Sequence, residues 1–493
     1  MFNDVLSVIS VGVATLDEGP AGGGAALMRL DWQPAGDASA ELAWRLAQLA
    51  GDKDDPACFG SGIDRANLEA VNRVIGAEPA WVDVALHARE VWPDLGRTLL
   101  HAGPPIGWEK MCGPMRGAVI GAILYEGWAS SPEHAEALAR RGEVAFAPCH
   151  EHGAVGPMSG IISPSMPLVA VRNRTAGNLA WAPFMESGGR ETLRFGAYSQ
   201  PVLDHLRWIE NTVAPTLQAV VRGAPDGLAL KPIIAQALHM GDDLHNRNTA
   251  ASLILLRWVA CELARSGLDS ATAAAVLKMI RQDDMFFLSL SMAACKSTMD
   301  AAHGVPNSSM VTAMARNGVE VGIRVSGLGE RWFTGPAEVP KGLYLPGFTE
   351  ADANPDIGDS AITETAGLGA FAMAAAPAMV QFVGGTPADA LRYSTEMKQI
   401  AIARNPGFTL PALDFVGAPV GIDVRRVLDE NSRPVINTAT AHREPGKGII
   451  GAGIVRAPLA CFTSALHALC DQPHAANPAA DSAMQASHSG ARS

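Results

Sequence analysis

The chain has 493 residues, with 38 Lys and Arg against 50 Asp and Glu (net charge −12), and is 48 % hydrophobic and 18 % charged. Such a chain fits about two to four domains, builds a large core and is not disordered throughout. Its acidity and lack of a basic block exclude nucleic-acid binding and give a membrane surface nothing to attract. It has no apolar run of about 18 residues, so no spanning helix is expected.

The first segment, MFNDVLSVISVGVATLDEG, has no positive residue and is not expected to be a secretory signal. Seven widely spaced cysteines without a CxxC pair suit free thiols in a reducing compartment, the cytoplasm.

Residues 1–55 are expected to form a small βα unit, with strand-like runs at 8–13 and 27–30 around the Gly-rich turn 19–24. A helix follows at 40–49, and the polar GDKDDP (51–56) makes a boundary. A helix is expected at 64–76. The apolar stretch 115–128 reads as a buried helix packed closely through Gly117 and Gly121. Another helix opens at Pro132, and strands are expected at 143–146 and 168–171.

Residues 201–305 change to helical spacing throughout, at 201–221, 228–244, 249–265, 270–280 and 283–302, and read as a helical domain or insertion. A mixed pattern then returns, with strands at 319–325 and 331–334, a Gly/Ala-rich buried helix at 362–376 and a helix at 387–402. Two strands at 422–428 and 434–440 are expected to join through the turn 429–432, and a helix closes at 458–469. The fold class is thus mixed α/β (α+β): a Gly-rich mixed-sheet core at 56–200 and 306–470, the helical insertion, the small N-terminal unit, and a disordered tail at 471–493.

Five constellations carry chemistry. Cys149-His150-Glu151-His152 directly follows a strand, where it offers acid/base or carbonyl-polarising groups, or is simply a polar turn with a buried Cys. Asp243, Arg247 and Asn248 sit between two apolar helices, as a site or as a capped junction. Arg316-Asn317 with Arg324, Ser326, Gly327, Gly329 and Arg331 alternates guanidinium groups with small residues, as an oxyanion cradle or as hairpin turns. Asp359, Ser360 and Thr363 open a helix, as an anion site or as its cap. His442 ends a polar strand before a Gly-rich return, as a site rim or a packed histidine. No metal-ligand spacing, P-loop or dinucleotide fingerprint occurs, so neither a metal nor a cofactor is expected. The profile suits positioning and electrostatics on a small anion.

The segments GPMRGAVIGAILYEGWA (113–129), MGDDLHNRN (240–248), VSGLGERWFTGP (325–336), ANPDIGDSAITETAGLG (353–369) and GAGIVRAPLACF (451–462) resemble the FdrA-associated AllG/YlbE-type family. The resemblance runs from about residue 81 to 469. It implies a subunit of oxamate carbamoyltransferase working with an FdrA-type partner and a small accessory subunit in an oligomeric assembly. That assembly moves a carbamoyl group between phosphate and oxamate, so that oxalurate is cleaved to carbamoyl phosphate in ureide and purine catabolism. Residues 1–55 lie outside this core and look like the tail of the FdrA-type partner.

The implied chemistry can be assigned to residues. Arg316, Arg324 and Arg331 would hold carbamoyl phosphate, His150, His152 or His442 would donate to the oxyanion, Arg247 would take an acceptor carboxylate, and Glu151 or Asp243 would act as base. The Ser-Thr-Arg-Thr motif of ordinary transcarbamylases is absent, so the site would differ from theirs. The alternatives are a non-catalytic scaffold subunit of an FdrA-type complex and a hydrolase opening a cyclic amide or ureide.

Overall fold

A computed structural model describes residues 7–11, 26–30, 39–51, 58–187, 189 and 191–472. The expected tail from 473 onward, the Gly-rich turn 19–24 and residues 52–56 of the polar boundary lie outside the described residues. The fold is mixed α/β. Among the described residues, no helix is long and apolar enough to cross a membrane, and no cysteine is in a disulfide.

The first two strands, Ser7–Val11 and Ala26–Leu30, pair in parallel. The helix Ala40–Gln48 follows, capped by the Ser39 side chain on Leu42 N–H. It is seated on the last helix, Leu459–Cys470: Arg45 reaches Asp471 at 3.2 Å, and Leu42 and Leu49 are buried with Leu466 and Leu469.

Two four-stranded antiparallel sheets frame the middle of the molecule. One runs Leu179–Pro183, Leu168–Asn173, Pro79–Ala85, Leu228–Ala229; the other runs Phe333–Pro336, Glu320–Val325, Val311–Asn317, Ile357–Gly358. The helix Leu288–Ala301 is buried from Leu288 to Met299 and shares one core with the first sheet and the preceding helices. Burial on every face explains its lack of an amphipathic stripe. A three-stranded sheet, Lys341–Tyr344, Ile449–Arg456, Val435–Ala441, lies near the C-terminus.

The helix Gly113–Tyr125 packs as closely as its glycines imply. A Cβ on Gly117 would stand 2.4 Å from Gly196 O, and one on Gly121 2.4 Å from Leu193 Cδ1. Between the helices Gln200–Trp208 and Ala214–Arg222 a π-turn, Ile209–Val213, intervenes. Pro215 has no N–H to give and its ring crowds the carbonyl four residues back, which a widened turn relieves.

Three expectations are corrected. Residues 362–376 are not one helix: Ile362–Thr365 ends, and a 3-10 stretch Gly369–Ala375 follows. Gly367 (φ +89°) and Gly369 (φ +57°) stand in the left-handed region between them, where a right-handed helix cannot continue. Residues 422–440 are not a hairpin. Asp423 caps a helix, Val424–Asp429, by accepting from Arg425 N–H. The flanking strands pair elsewhere, Val416–Ile422 with Ala401–Leu410 and Val435–Ala441 with Ile449–Arg456. The helix expected from residue 283 begins at Leu288, because the Asp283 carboxylate closes a turn by accepting from Met285 N–H and the Ser187 hydroxyl.

Candidate active site

The loop between Met240 and Asn248 wraps around a carboxylate. Asp243 Oδ1 accepts from the backbone N–H groups of His245 (3.1 Å) and Arg247 (2.8 Å), and its Oδ2 accepts from the Asn437 amide. Leu244 pays for this winding with a left-handed backbone, φ +66°. The turn aims His245 inward. Its Nδ1 lies 2.8 Å from both carboxylate oxygens of Glu364.

Glu364 is wholly buried and also accepts from Ala370 N–H (3.1 Å), Asn437 N–H (3.2 Å) and the Thr363 hydroxyl (3.0 Å). The break at Gly367–Gly369 brings Ala370 N–H to it. Burial pushes the Glu364 carboxyl up, but the neighbouring imidazole and these donors hold it below the usual carboxylate range. Burial, helped by the Glu364 charge, raises Asp243.

With Nδ1 held by a carboxylate, His245 Nε2 is left without a hydrogen bond among the described residues, and the ring lines a cavity of about 210 Å³. This is smaller than the roughly 300–1,000 Å³ of drug-sized sites and limits the occupant to a small molecule. Asn246, Ser360, Thr438 and Arg194 add the polar groups, and Met158, Met185, Met285, Met379 and Phe382 much of the apolar wall. Met158 has φ +55°. Two of the non-glycine residues in the left-handed region thus adjoin this cavity, as backbone strain at functional sites often does.

Behind Ser360 and Thr438 lies Arg316, with no exposed surface. Its Nε and Nη2 clasp both Asp356 oxygens (2.6 and 3.1 Å), Nη1 donates to Gly358 O (2.6 Å), and Nη2 donates to Thr438 Oγ1 (3.2 Å).

A second polar cluster adjoins the first through Asp359. That carboxyl accepts from Gly103 N–H (2.8 Å) and Gly156 N–H (2.9 Å), and burial pushes it up to about 7. His150 Nε2 lies 3.7 Å from Asp359 Oδ1. Burial, and then the nearby Lys296 and Arg324 charges, keep His150 well below its ordinary range. Neither ring nitrogen is hydrogen-bonded among the described residues. Trp332 stands edge-on to the His150 ring and donates to Glu151 (3.0 Å). Arg324 pairs with Glu330 and contacts His303.

The structure thus gathers Asp243, Asn248, Ser360 and Thr363 around His245 and Glu364, with Arg316 beneath; Asn248 donates to His245 O. It gathers His150, Glu151, Arg324 and Asp359 next door. Other candidates stand apart. His442 accepts from Glu444 N–H and faces Phe348, and His152 stands edge-on to Trp92. Arg331 lies over Phe333, Asn317 caps its own hairpin turn, and Arg247 lies 3.4 Å from Asp242. Ser326 donates to Ala302 O, Gly327 N–H to Ser308 O, and Gly329 (φ +61°) turns the chain.

Sequence reasoning missed His245, Glu364, Asn246, Asn437, Thr438 and Arg194 as site residues. His245, Asn246 and Glu364 lie inside motifs already singled out, and Asn437 and Thr438 on the polar strand that His442 ends, whereas nothing in the pattern around Arg194 marks it.

A family model described as oxamate carbamoyltransferase subunit AllG matches residues 144–360. The chain is 47 % identical over 414 residues to the oxamate carbamoyltransferase subunit AllG of Escherichia coli (strain K12), a match covering 83 % of this chain and 98 % of that protein. It is 42 % identical over 472 residues to the uncharacterized protein YahG of the same strain, covering 96 % and 98 % respectively. A crystal structure of a conserved protein of unknown function from Enterococcus faecalis V583 is similar at a TM-score of 0.81 and 47 % identity, covering 83 % of this chain and 98 % of that one. With close to half of its residues shared along nearly the whole of the E. coli subunit, the chain belongs to the AllG family.

Proposed function

We propose that this chain is the catalytic subunit of a carbamoyltransferase complex that moves a carbamoyl group between phosphate and a small amide of the oxamate type in ureide degradation. The observation that supports this reading is the buried Glu364–His245 pair, held through Nδ1, with His245 lining a small cavity.

In the direction of oxalurate cleavage, a phosphate oxygen attacks the carbamoyl carbon. The carbon–nitrogen bond to oxamate then breaks, and the departing nitrogen takes a proton from His245 Nε2. In reverse, Nε2 accepts that proton as the amide nitrogen attacks carbamoyl phosphate and phosphate leaves. An amide nitrogen is a poor nucleophile and a poor leaving group, so this proton transfer is the step that needs a positioned base, typically worth about 10²–10⁴ in rate. Glu364 fixes the ring and balances the imidazolium charge. The Ser360 and Thr438 hydroxyls, held from behind by Arg316, supply the polar contacts on the cavity wall.

The test is oxalurate phosphorolysis by this chain assembled with its partner subunits. His245→Gln is expected to lower turnover by about 10²–10⁴ while leaving the thermal midpoint within a few degrees. Turnover near that of the unmutated complex would place the chemistry in a partner subunit and make this chain a scaffold.

A further inference from the structure

Among the described residues lining the cavity, Arg194 is the only Lys or Arg. The deeper guanidinium groups are committed internally: Arg316 to Asp356, Arg324 to Glu330, and Arg425 to Asp423 and Asp64. Arg194 has no carboxylate within 4 Å among the described residues. Its Nη1 donates to Glu186 O (2.9 Å), and its other guanidinium N–H groups have no hydrogen-bond partner among the described residues.

The turn that carries Arg194 is fixed from both sides. The buried Glu186 carboxylate accepts from Leu193 N–H (2.6 Å) and Arg194 N–H (3.0 Å). Leu193 and Phe195 are buried, and Gly196 closes the turn at φ +82°. The helix Gly113–Tyr125 presses on it through Gly117 and Gly121. The guanidinium carbon lies 5.2 Å from the Phe195 ring centroid, which limits its swing. The nearby Glu186 carboxylate offsets part of the Arg194 charge, but a fixed guanidinium with N–H groups to spare at the wall of a small, largely apolar chamber suits one carboxylate, which matches its planar fork.

We propose that Arg194 binds the carboxylate of the acceptor and so sets its specificity, placing the amide nitrogen of a small monocarboxylate amide toward His245. This rests on the carbamoyl-transfer reading for the reaction, but not for the binding. Oxamate and oxamide differ only in whether the second carbonyl carries a carboxylate oxygen or an amide nitrogen, so the pair isolates the contact.

The experiment measures binding of oxamate, oxamide and inorganic phosphate to the full chain by calorimetry, and carbamoyl transfer to oxamate and oxamide in the assembled complex, for the unmutated protein, Arg194→Gln and Arg194→Lys. Losing a desolvated charge contact costs enough to predict a 30-fold or greater loss. The unmutated chain is expected to prefer oxamate over oxamide by at least that factor. Arg194→Gln is expected to raise the oxamate Kd and KM 30-fold or more, leave oxamide unchanged and change kcat by less than about tenfold, with Arg194→Lys recovering part of the preference.

An oxamate Kd within threefold of the unmutated value in Arg194→Gln overturns the proposal. So does equal weakening of oxamide, which marks a merely structural role, or phosphate that competes with oxamate and is itself lost in Arg194→Gln, which makes this the phosphate subsite. Arg194-dependent discrimination in binding without carbamoyl transfer to either acceptor would uphold the carboxylate subsite while removing the reaction.

Discussion

Replacing Arg316 separates a structural guanidinium from one that holds substrate. In Arg316→Met the Asp356 carboxylate stays buried, 2 % exposed, with the Thr438 hydroxyl at 3.0 Å as its remaining side-chain donor. Breaking a buried ion pair from one side costs about 3–5 kcal/mol, and the lost guanidinium hydrogen bond to Gly358 O adds about 1–3 kcal/mol. Asp356→Leu strands the cation instead, at a similar cost. The double variant Arg316→Met/Asp356→Leu leaves no buried charge and lacks chiefly the guanidinium hydrogen bonds to Gly358 O and Thr438 Oγ1, so it is expected to lose about 1–3 kcal/mol, less than either single change. Urea unfolding followed by the fluorescence of the ten tryptophans reads all four proteins. A loss below about 1 kcal/mol in Arg316→Met, or single losses that add in the double variant to within about 0.5 kcal/mol, would refute the assignment and return Arg316 to the substrate.

Asp359 makes a pH prediction. Burial moves its carboxyl from 3.8 to about 7, so between those values the folded protein holds a proton that the unfolded chain has released, and stability falls as pH rises through that window. Asp359→Asn is expected to remove this contribution, up to about 1.4 kcal/mol per pH unit. Urea midpoints from pH 4.5 to 7.5 with identical slopes for the two proteins would contradict it. Gly103 is at φ +86°, and a Cβ there would stand 2.4 Å from Asn317 N. Gly103→Ala is therefore expected to cost well over about 1 kcal/mol, read as a lowered thermal midpoint, and an unchanged midpoint would show that the strand end can shift.

Much of the secondary structure is legible in the sequence because it is decided locally. The helix at Thr249–Ser266 and the strand at Leu168–Asn173 follow from periodicity, and the Gly113–Tyr125 helix from its small residues. The motifs that contribute His245, Glu364 and Thr438 are visible too, since polar groups placed between apolar elements stand out. Their roles are not visible. His245 becomes the cavity's imidazole because Leu244 turns left-handed and Glu364 waits 119 residues away. Arg316, chosen from the sequence for its charge, is neutralised by Asp356 across the end of its sheet, whereas Arg194, which no pattern marks, lines the cavity without an ion pair among the described residues. Periodicity reports which face of an element is buried. Which charge meets which depends on contacts between residues distant in sequence, and only the tertiary structure decides whether a buried cation has a partner or stands free for a ligand.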